Sequence, residues 1–171
     1  MKFNEEQTAY YGQINEDGWS FYIAATDKGL CFVGSQEGAI DEVKKWFGKN
    51  RPKAELVEAW DSVALYADEL VEYLNGERKD FDLPADLAGT EFQEAVWAEL
   101  RNIPFGEIKT YTDIAKNIGR PKSVRAVGSA IGANPVMIVV PCHRVIAKSG
   151  KLAGFRGGIP MKERLLELEK K

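Results

Sequence analysis

The sequence is poor in the residues that hold metals. Its 171 residues contain two cysteines and one histidine, so at most three soft ligands exist and a zinc site would have to borrow a carboxylate. No metal site is expected. No apolar run approaches the roughly 18 residues needed to span a bilayer, so no membrane partner is expected. The opening MKFNEEQTAY has no basic segment followed by an apolar stretch, so no secretory leader is expected either. Net charge is only −3 and 44% of residues are apolar, which excludes a disordered chain. What remains is a soluble, reduced, intracellular protein, cytoplasmic or nuclear if eukaryotic. Its length suits one ordinary domain or two small ones.

The small net charge hides an asymmetry. Residues 1–100 hold 9 Lys and Arg against 21 Asp and Glu, whereas residues 101–171 hold 14 against 5. Counterion release depends on the local face rather than the total, so a basic C-terminal part is compatible with nucleic acid despite the acidic whole. The same residues are also compatible with an ordinary solvated surface.

Hydrophobic pattern and turn residues divide the chain. Trp19–Thr26, the turn Asp27-Lys28-Gly29 and Leu30–Val33 predict a β-hairpin. Ile40, Val43 and Phe47 share a helical face, with Gly48 as the expected stop. Ala54–Trp60 reads as a strand. Asp61 or Ser62 is placed to cap a helix that buries Val63, Tyr66, Leu70 and Tyr73 and ends at Asn75-Gly76. The segment Lys79–Gly89 lacks a period and contains Pro84, so it reads as a linker. It sets a supporting domain at 1–85 and a second domain at 86–171. Beyond it, Thr90-x-x-Gln93 and Thr110-x-x-Asp113 have the form of helix-opening capping boxes. A helix ending at Gly119, a turn over Gly119–Lys122 and a helix opened by Ser123 and closed by Asn134-Pro135 outline a helix-turn-helix. Met137–Val140 reads as a β-branched strand, and Pro160 suits the first turn of a last helix. The expected class is α+β: a small antiparallel sheet with helices, then a mostly helical domain.

The only histidine, His143, directly follows Cys142 in a Pro-Cys-His-Arg segment. A thiolate is the attacking form of cysteine, and at neutral pH a thiol needs a base or a positive field to reach it. Adjacent strand residues point to opposite faces, so His143 serves the thiol only if the backbone turns, as Pro141 favours, or through a bridging water. A third group would orient the imidazole, and Glu163 in the last helix is the candidate. A core cysteine beside a satisfied histidine remains the competing reading. Cys31, between Leu30 and Phe32, reads as a small core hydrophobe. A basic helix pair followed by a candidate nucleophile suggests chemistry on a nucleic acid, which requires extruding a base from the duplex.

The stretches IPFGEIKTYTDIA, RAVGSAIGANP, PCHRVI and KERLLELE, spread over Ile103–Glu169, resemble the signature of the O6-alkylguanine-DNA alkyltransferases. The first 85 residues match only in size and hairpin content. The resemblance implies a suicide repair protein that flips O6-methylguanine, or another O6-alkylguanine or O4-alkylthymine, out through the minor groove of duplex DNA. The alkyl group moves irreversibly to Cys142, once per molecule and without a cofactor; a monomer is the simplest expectation for the chain. It implies His143 as a water-mediated base, Glu163 as its orienter and Asn134 as the holder of the turn before the active-site strand. Tyr111 crowds the target's phosphate and donates to the flipped guanine, while Arg125 enters the vacated stack. Ser123, Lys122, Ala126 and Gly128 lie along the DNA, where a helix of small residues fits close to a groove. Pro141, Val145, Gly154, Phe155 and Arg156 wall the alkyl pocket.

Two positions depart from the family pattern. Phe155 stands where many members carry tyrosine, and Arg156 where some carry a small residue such as serine. Competing classes are a lesion-binding relative without transfer, a helix-turn-helix regulator, and a cysteine hydrolase using Cys142, His143 and Glu163. The hydrolase has no need of the basic helix pair.

Overall fold

Alternation of apolar residues sets the first sheet. In the computed structural model, which describes residues 7–152 and 154–170, strand β1 (Gln7–Glu16) turns through positive-φ Asp17 and Gly18 into β2 (Trp19–Thr26), and β3 (Gly29–Val33) returns. The order is β3-β2-β1-β4, with β4 at Ala54–Glu58. The first three strands are antiparallel, but β4 lies parallel to β1 with Ala9 opposite Leu56. The sheet is therefore mixed rather than antiparallel, because helix α1 (Ile40–Asn50) carries the chain from one edge to the other.

Each face of the sheet has its helix. Val43 and Phe47 of α1 join Ala9, Ala24, Cys31 and Phe32 in a buried cluster. The rings of Trp46 and Phe47 meet edge to face at 5.0 Å there. Helix α2 (Trp60–Leu74) packs on the other face, where a Cβ on Gly12 would come within 2.9 Å of both Trp60 and Val63. Gly48 does not end α1. The helix runs to Asn50 and stops at Arg51 (φ −138°), since the residue before Pro52 is pushed out of the α region. Nor do Asp61 or Ser62 cap α2: Ala59 takes the cap position, and Asp61 sits in the first turn, where its charge complements the helix dipole. Tyr66 is only half-buried.

The predicted linker proves to be partly core. Leu30 donates its amide to Pro84 O (3.0 Å) and accepts from Asp86 N (2.8 Å). This close approach explains Gly29: its φ is +148°, and a Cβ there would lie 2.6 Å from Pro84 O. Asp86 is buried, accepting from Arg51 (3.0 Å) and Thr26 (2.6 Å), and its carbonyl takes a second Arg51 bond at 2.8 Å. An isolated acid in a polar run reads as solvated, because a partner 35 residues away is invisible to local pattern.

The chain divides into two compact units, Met1–Ala88 and Gly89–Lys171. In the second, both capping boxes form. Thr90 opens α3 (Glu91–Leu100), and Thr110 opens α4 (Tyr111–Asn117) at the end of β5 (Lys109–Thr110). Helix α5 (Val124–Gly132) follows the turn, with Ser123 at the cap position but making no side-chain cap bond. Trp97 Nε1 donates to Ala130 O at 2.8 Å, fastening α3 to α5. A 3₁₀ turn at Cys142–Arg144 leads into β6 (Val145–Ile146), which pairs with β5 in parallel. Helix α6 (Ile159–Leu168) has Pro160 in its first turn. No helix among the described residues is long and apolar enough to cross a membrane.

Removing one member of a buried ion pair strands the other charge, at a cost of about 3–5 kcal/mol. Asp86→Ala is therefore expected to lower the stability of the N-terminal unit by about that amount, read from urea denaturation of the full chain. A loss below about 1 kcal/mol would place this pair among surface salt bridges instead.

Candidate active site

The segment between α5 and α6 is organised by one amide. Met137–Val140, expected as a strand, is a tight turn in which Val140 donates to Val136 O (3.0 Å) and Val139 to Met137 O (2.9 Å). The Asn134 side chain clasps the turn at both ends: its Nδ2 donates to Val140 O (2.9 Å) and its Oδ1 accepts from Val136 N (3.0 Å). The run is apolar because it is buried, not because it pairs. Ile138 sits at φ +76° with its side chain fully enclosed. A β-branched residue in the left-handed region is strained by about 1–3 kcal/mol, a cost that surrounding packing must offset.

Cys142 follows this turn, 3% exposed. Burial pushes its thiol above the ordinary 9.0, opposed by a hydrogen bond from Asn134 and by the charges of Arg156 and Lys162. The resting sulfur is thus a neutral thiol within reach of groups that favour its anion. Backbone turning at Cys142–Arg144 also removes the strand geometry that would separate Cys142 from His143. Cys31, by contrast, lies in the β-sheet core with its thiol raised to about 12, first by burial, and donates to Ala24 O at 3.4 Å. Both cysteines are free.

The acid paired with His143 is Glu169, not Glu163. His143 Nε2 lies 2.7 Å from Glu169 Oε2. Arg144 grips the same carboxylate with Nε (2.8 Å) and a terminal nitrogen (2.9 Å), and Gly106 N donates to it at 3.1 Å. Arg144 also donates to Ile103 O at 2.6 Å. Glu163 is exposed. The reason is helical phase. Leu165 marks the buried face of α6, and residues three before and four after it share that face. These are Lys162 and Glu169, both buried, while Glu163 faces outward. That spacing was available in KERLLELE. The pairing of Arg144 with Glu169 had no local signal. Lys162 Nζ donates to Val145 O at 2.6 Å, and burial holds it below its ordinary 10.5. Burial likewise holds His143 below its ordinary 6.5, against the pull of Glu169. The imidazole is neutral at physiological pH and able to accept a proton.

The residues that the resemblance assigns to DNA lie on α4, on α5 and in the turn between them. Lys122, Arg125 and Ala126 are exposed, whereas Ser123 and Gly128 are partly so. Val127, Ala130 and Ile131 form the inward face of α5. A groove of about 620 Å³ is lined by Tyr111, Val124, Arg125, Gly128, Ser129 and Gly154. At Gly154 (φ +64°) a Cβ would come 3.3 Å from the Tyr111 hydroxyl. Burial, then the nearby Cys142, raises the Tyr111 hydroxyl above 10.0, so it remains a donor. Pro141, Val145 and Phe155 are buried, and Arg156 donates to Asn134 O (3.3 Å) and Pro135 O (3.2 Å).

Residues 9–87 match the family model described as 6-O-methylguanine DNA methyltransferase, ribonuclease-like domain, and residues 91–171 match that of its DNA binding domain. The chain is 54% identical over 164 residues to the inducible methylated-DNA–protein-cysteine methyltransferase of Bacillus subtilis, covering 96% of this chain and 92% of that one. It is 40% identical to a methylated-DNA–protein-cysteine methyltransferase of Methanosarcina acetivorans, covering 94% and 97%. Among solved structures, that of Mycobacterium tuberculosis OGT in complex with DNA matches with a TM-score of 0.77 and 41% identity, covering 94% of this chain and 92% of that one.

These buried groups fix how stability varies with pH. As pH falls through 6.5, the unfolded chain takes up a proton on His143 that the folded chain resists, so stability is lost on acidification from that point. Above 9.0 the unfolded chain releases thiol protons that folded Cys142 and Cys31 retain, so stability falls again. Melting temperature is expected to be highest between these limits. Cys142→Ala should soften the alkaline descent and His143→Gln the acid one. Descents of unchanged slope in both variants would count against this assignment.

Proposed function

This chain belongs to the O6-methylguanine-DNA methyltransferase family, and on that premise we propose that Cys142 is the cysteine it alkylates. It binds DNA and repairs it by transferring an alkyl group to its own cysteine. The observation that carries the assignment is the buried constellation of Cys142, Asn134, His143 and Glu169 beside a groove shared by Tyr111 and Arg125. Cys31 lies in a sheet core with its thiol held near 12, which leaves it inert.

The substrate is an O6-alkylguanine in duplex DNA, flipped into the site through the minor groove. Arg125 fills the stack that the base leaves, since a planar guanidinium both stacks and pairs. Lys122, with Ser123, Ala126 and Gly128, follows the backbone, and the acidic N-terminal unit serves as support rather than as DNA contact. The proton of Cys142 passes to neutral His143 through a bridging water, and Glu169 steadies the imidazolium so formed. The sulfur then attacks the alkyl carbon. An S–C bond forms as the C–O bond breaks, and the electron pair returns to the guanine. The guanine anion takes up, at a ring nitrogen, the proton that His143 took from Cys142, relayed back through water, and Tyr111 donates the hydrogen bond that eases its departure. The product thioether is not reversed by ordinary thiols, so each molecule acts once. Pro141, Val145, Gly154 and Phe155 wall the alkyl group. The reaction needs no cofactor, and the protein acts as a monomer in the cytoplasm.

Intact mass and peptide mapping after mixing with a duplex carrying one O6-methylguanine test this reading. One added methyl on the Cys142 peptide is expected, and none in Cys142→Ala. A modified Cys31, or bound DNA without transfer, overturns it. Loss of a positioned proton acceptor costs about 10²–10⁴-fold. Glu169→Gln is therefore expected to slow single-turnover transfer by about 10²-fold, with Glu163→Gln close to wild type. Equal effects would sink the Glu169 assignment. Duplex affinity should fall steeply with added salt, and an affinity indifferent to salt would remove the basic face from DNA.

A further inference from the structure

Arg156 belongs to the loop between β6 and α6, and its side chain reaches back across the site. Its Nε donates to Asn134 O at 3.3 Å and a terminal nitrogen to Pro135 O at 3.2 Å. Both acceptors lie in the turn whose Asn134 side chain holds Val136 N and Val140 O. These two acceptors are neutral carbonyls, which do not themselves cancel the charge of the guanidinium. The backbone beside it has little freedom. A Cβ on Gly157 would lie 2.5 Å from Met161 Sδ, 2.8 Å from Phe155 Cε2 and 3.3 Å from Met137 Cε. The loop is therefore pressed onto both α6 and the Met137 turn. Arg156 thus ties this loop to the turn that precedes Cys142.

We propose that Arg156 is a positioning residue for alkyl transfer: it clamps the Asn134–Pro135 turn and sets a fixed positive charge beside Cys142. The proposal rests on Cys142 being the acceptor. The other groups acting on the thiol are Asn134, which hydrogen-bonds it, and Lys162, whose ammonium is committed to Val145 O. Tyr111 faces the thiol as a neutral hydroxyl. A guanidinium keeps its charge at every pH the fold survives, so Arg156 supplies a field that burial does not switch off. Clamp and charge are separable. Lysine retains the charge but has no planar fork to hold two carbonyls, whereas glutamine loses the charge.

The test uses the full chain and the variants Arg156→Lys and Arg156→Gln. The pH dependence of Cys142 alkylation by iodoacetamide is followed by peptide mass, alongside single-turnover methyl transfer and duplex affinity. For Arg156→Gln the midpoint of iodoacetamide alkylation is expected to rise by at least about half a pH unit. Its methyl transfer should slow by about tenfold or more, with duplex affinity within about twofold of wild type. Arg156→Lys should restore the midpoint but not the full rate, and it keeps the test open if the glutamine variant fails to fold. An unchanged midpoint and rate in Arg156→Gln, or a loss confined to duplex affinity, overturns the proposal. So does a lysine variant whose midpoint moves by half a unit or more from wild type. Failure of the premise is distinct: wild-type protein would then carry no methyl on Cys142.

Discussion

One carboxylate holds the site in place. Glu169 accepts from His143, from two nitrogens of Arg144 and from the amide of Gly106. Burying a carboxylate is costly unless its oxygens are satisfied and its charge balanced. Here Arg144 balances the charge through a paired grip, leaving Oε2 also in contact with the histidine. Gly106 and Ile103 sit before α4, Arg144 closes the turn that begins at Cys142, and Glu169 follows α6. Losing this contact would release three segments together. The imidazole therefore owes its orientation to the packing of the whole C-terminal unit rather than to its neighbours in sequence.

Burial then sets the chemistry. The environment that enforces these bonds also keeps Cys142 a thiol and His143 an unprotonated imidazole. An exposed thiolate would react with any small electrophile that reached it, and a buried neutral thiol does not. Asn134 and the nearby cations oppose burial without overcoming it. A Cys142 anion would meet the Asn134 amide and the charges of Arg156 and Lys162 already in place. The strained Ile138 backbone belongs to the same arrangement: with Asn134 replacing strand pairing, the chain turns sharply enough to present the next residues from a 3₁₀ turn.

The legible and illegible parts of this molecule separate by range. Capping boxes at Thr90 and Thr110, the hairpin, and the apolar face of α1 follow from residues within one or two turns of each other, and the structure forms them as read. Cys142, His143 and Asn134 were legible because a short motif carries them. The parallel β4, the burial of Asp86 and the partner of His143 depend on contacts between distant segments. Met137–Val140 was misread for another reason: apolar β-branched residues mark burial, and hydrogen bonding to Asn134 decides that the segment is a turn.

Both units use the same device at such points. Arg51 with Asp86, and Arg144 with Glu169, are buried arginine–carboxylate pairs that also donate to a main-chain carbonyl. A hydrophobic contact tolerates sliding, but a buried guanidinium left without its acceptors does not. Each pair therefore fixes the position of a segment that apolar packing alone would leave loosely placed. In the first unit that segment is the chain leading out of the sheet domain, and in the second it is the turn carrying Cys142. Of the two, only the second also contacts a proton-accepting group. There, structural fixation and chemistry converge on one carboxylate, and a glutamine at 169 is predicted to uncouple them. Glutamine keeps a hydrogen-bond acceptor for Arg144 but loses the charge that would steady a protonated His143.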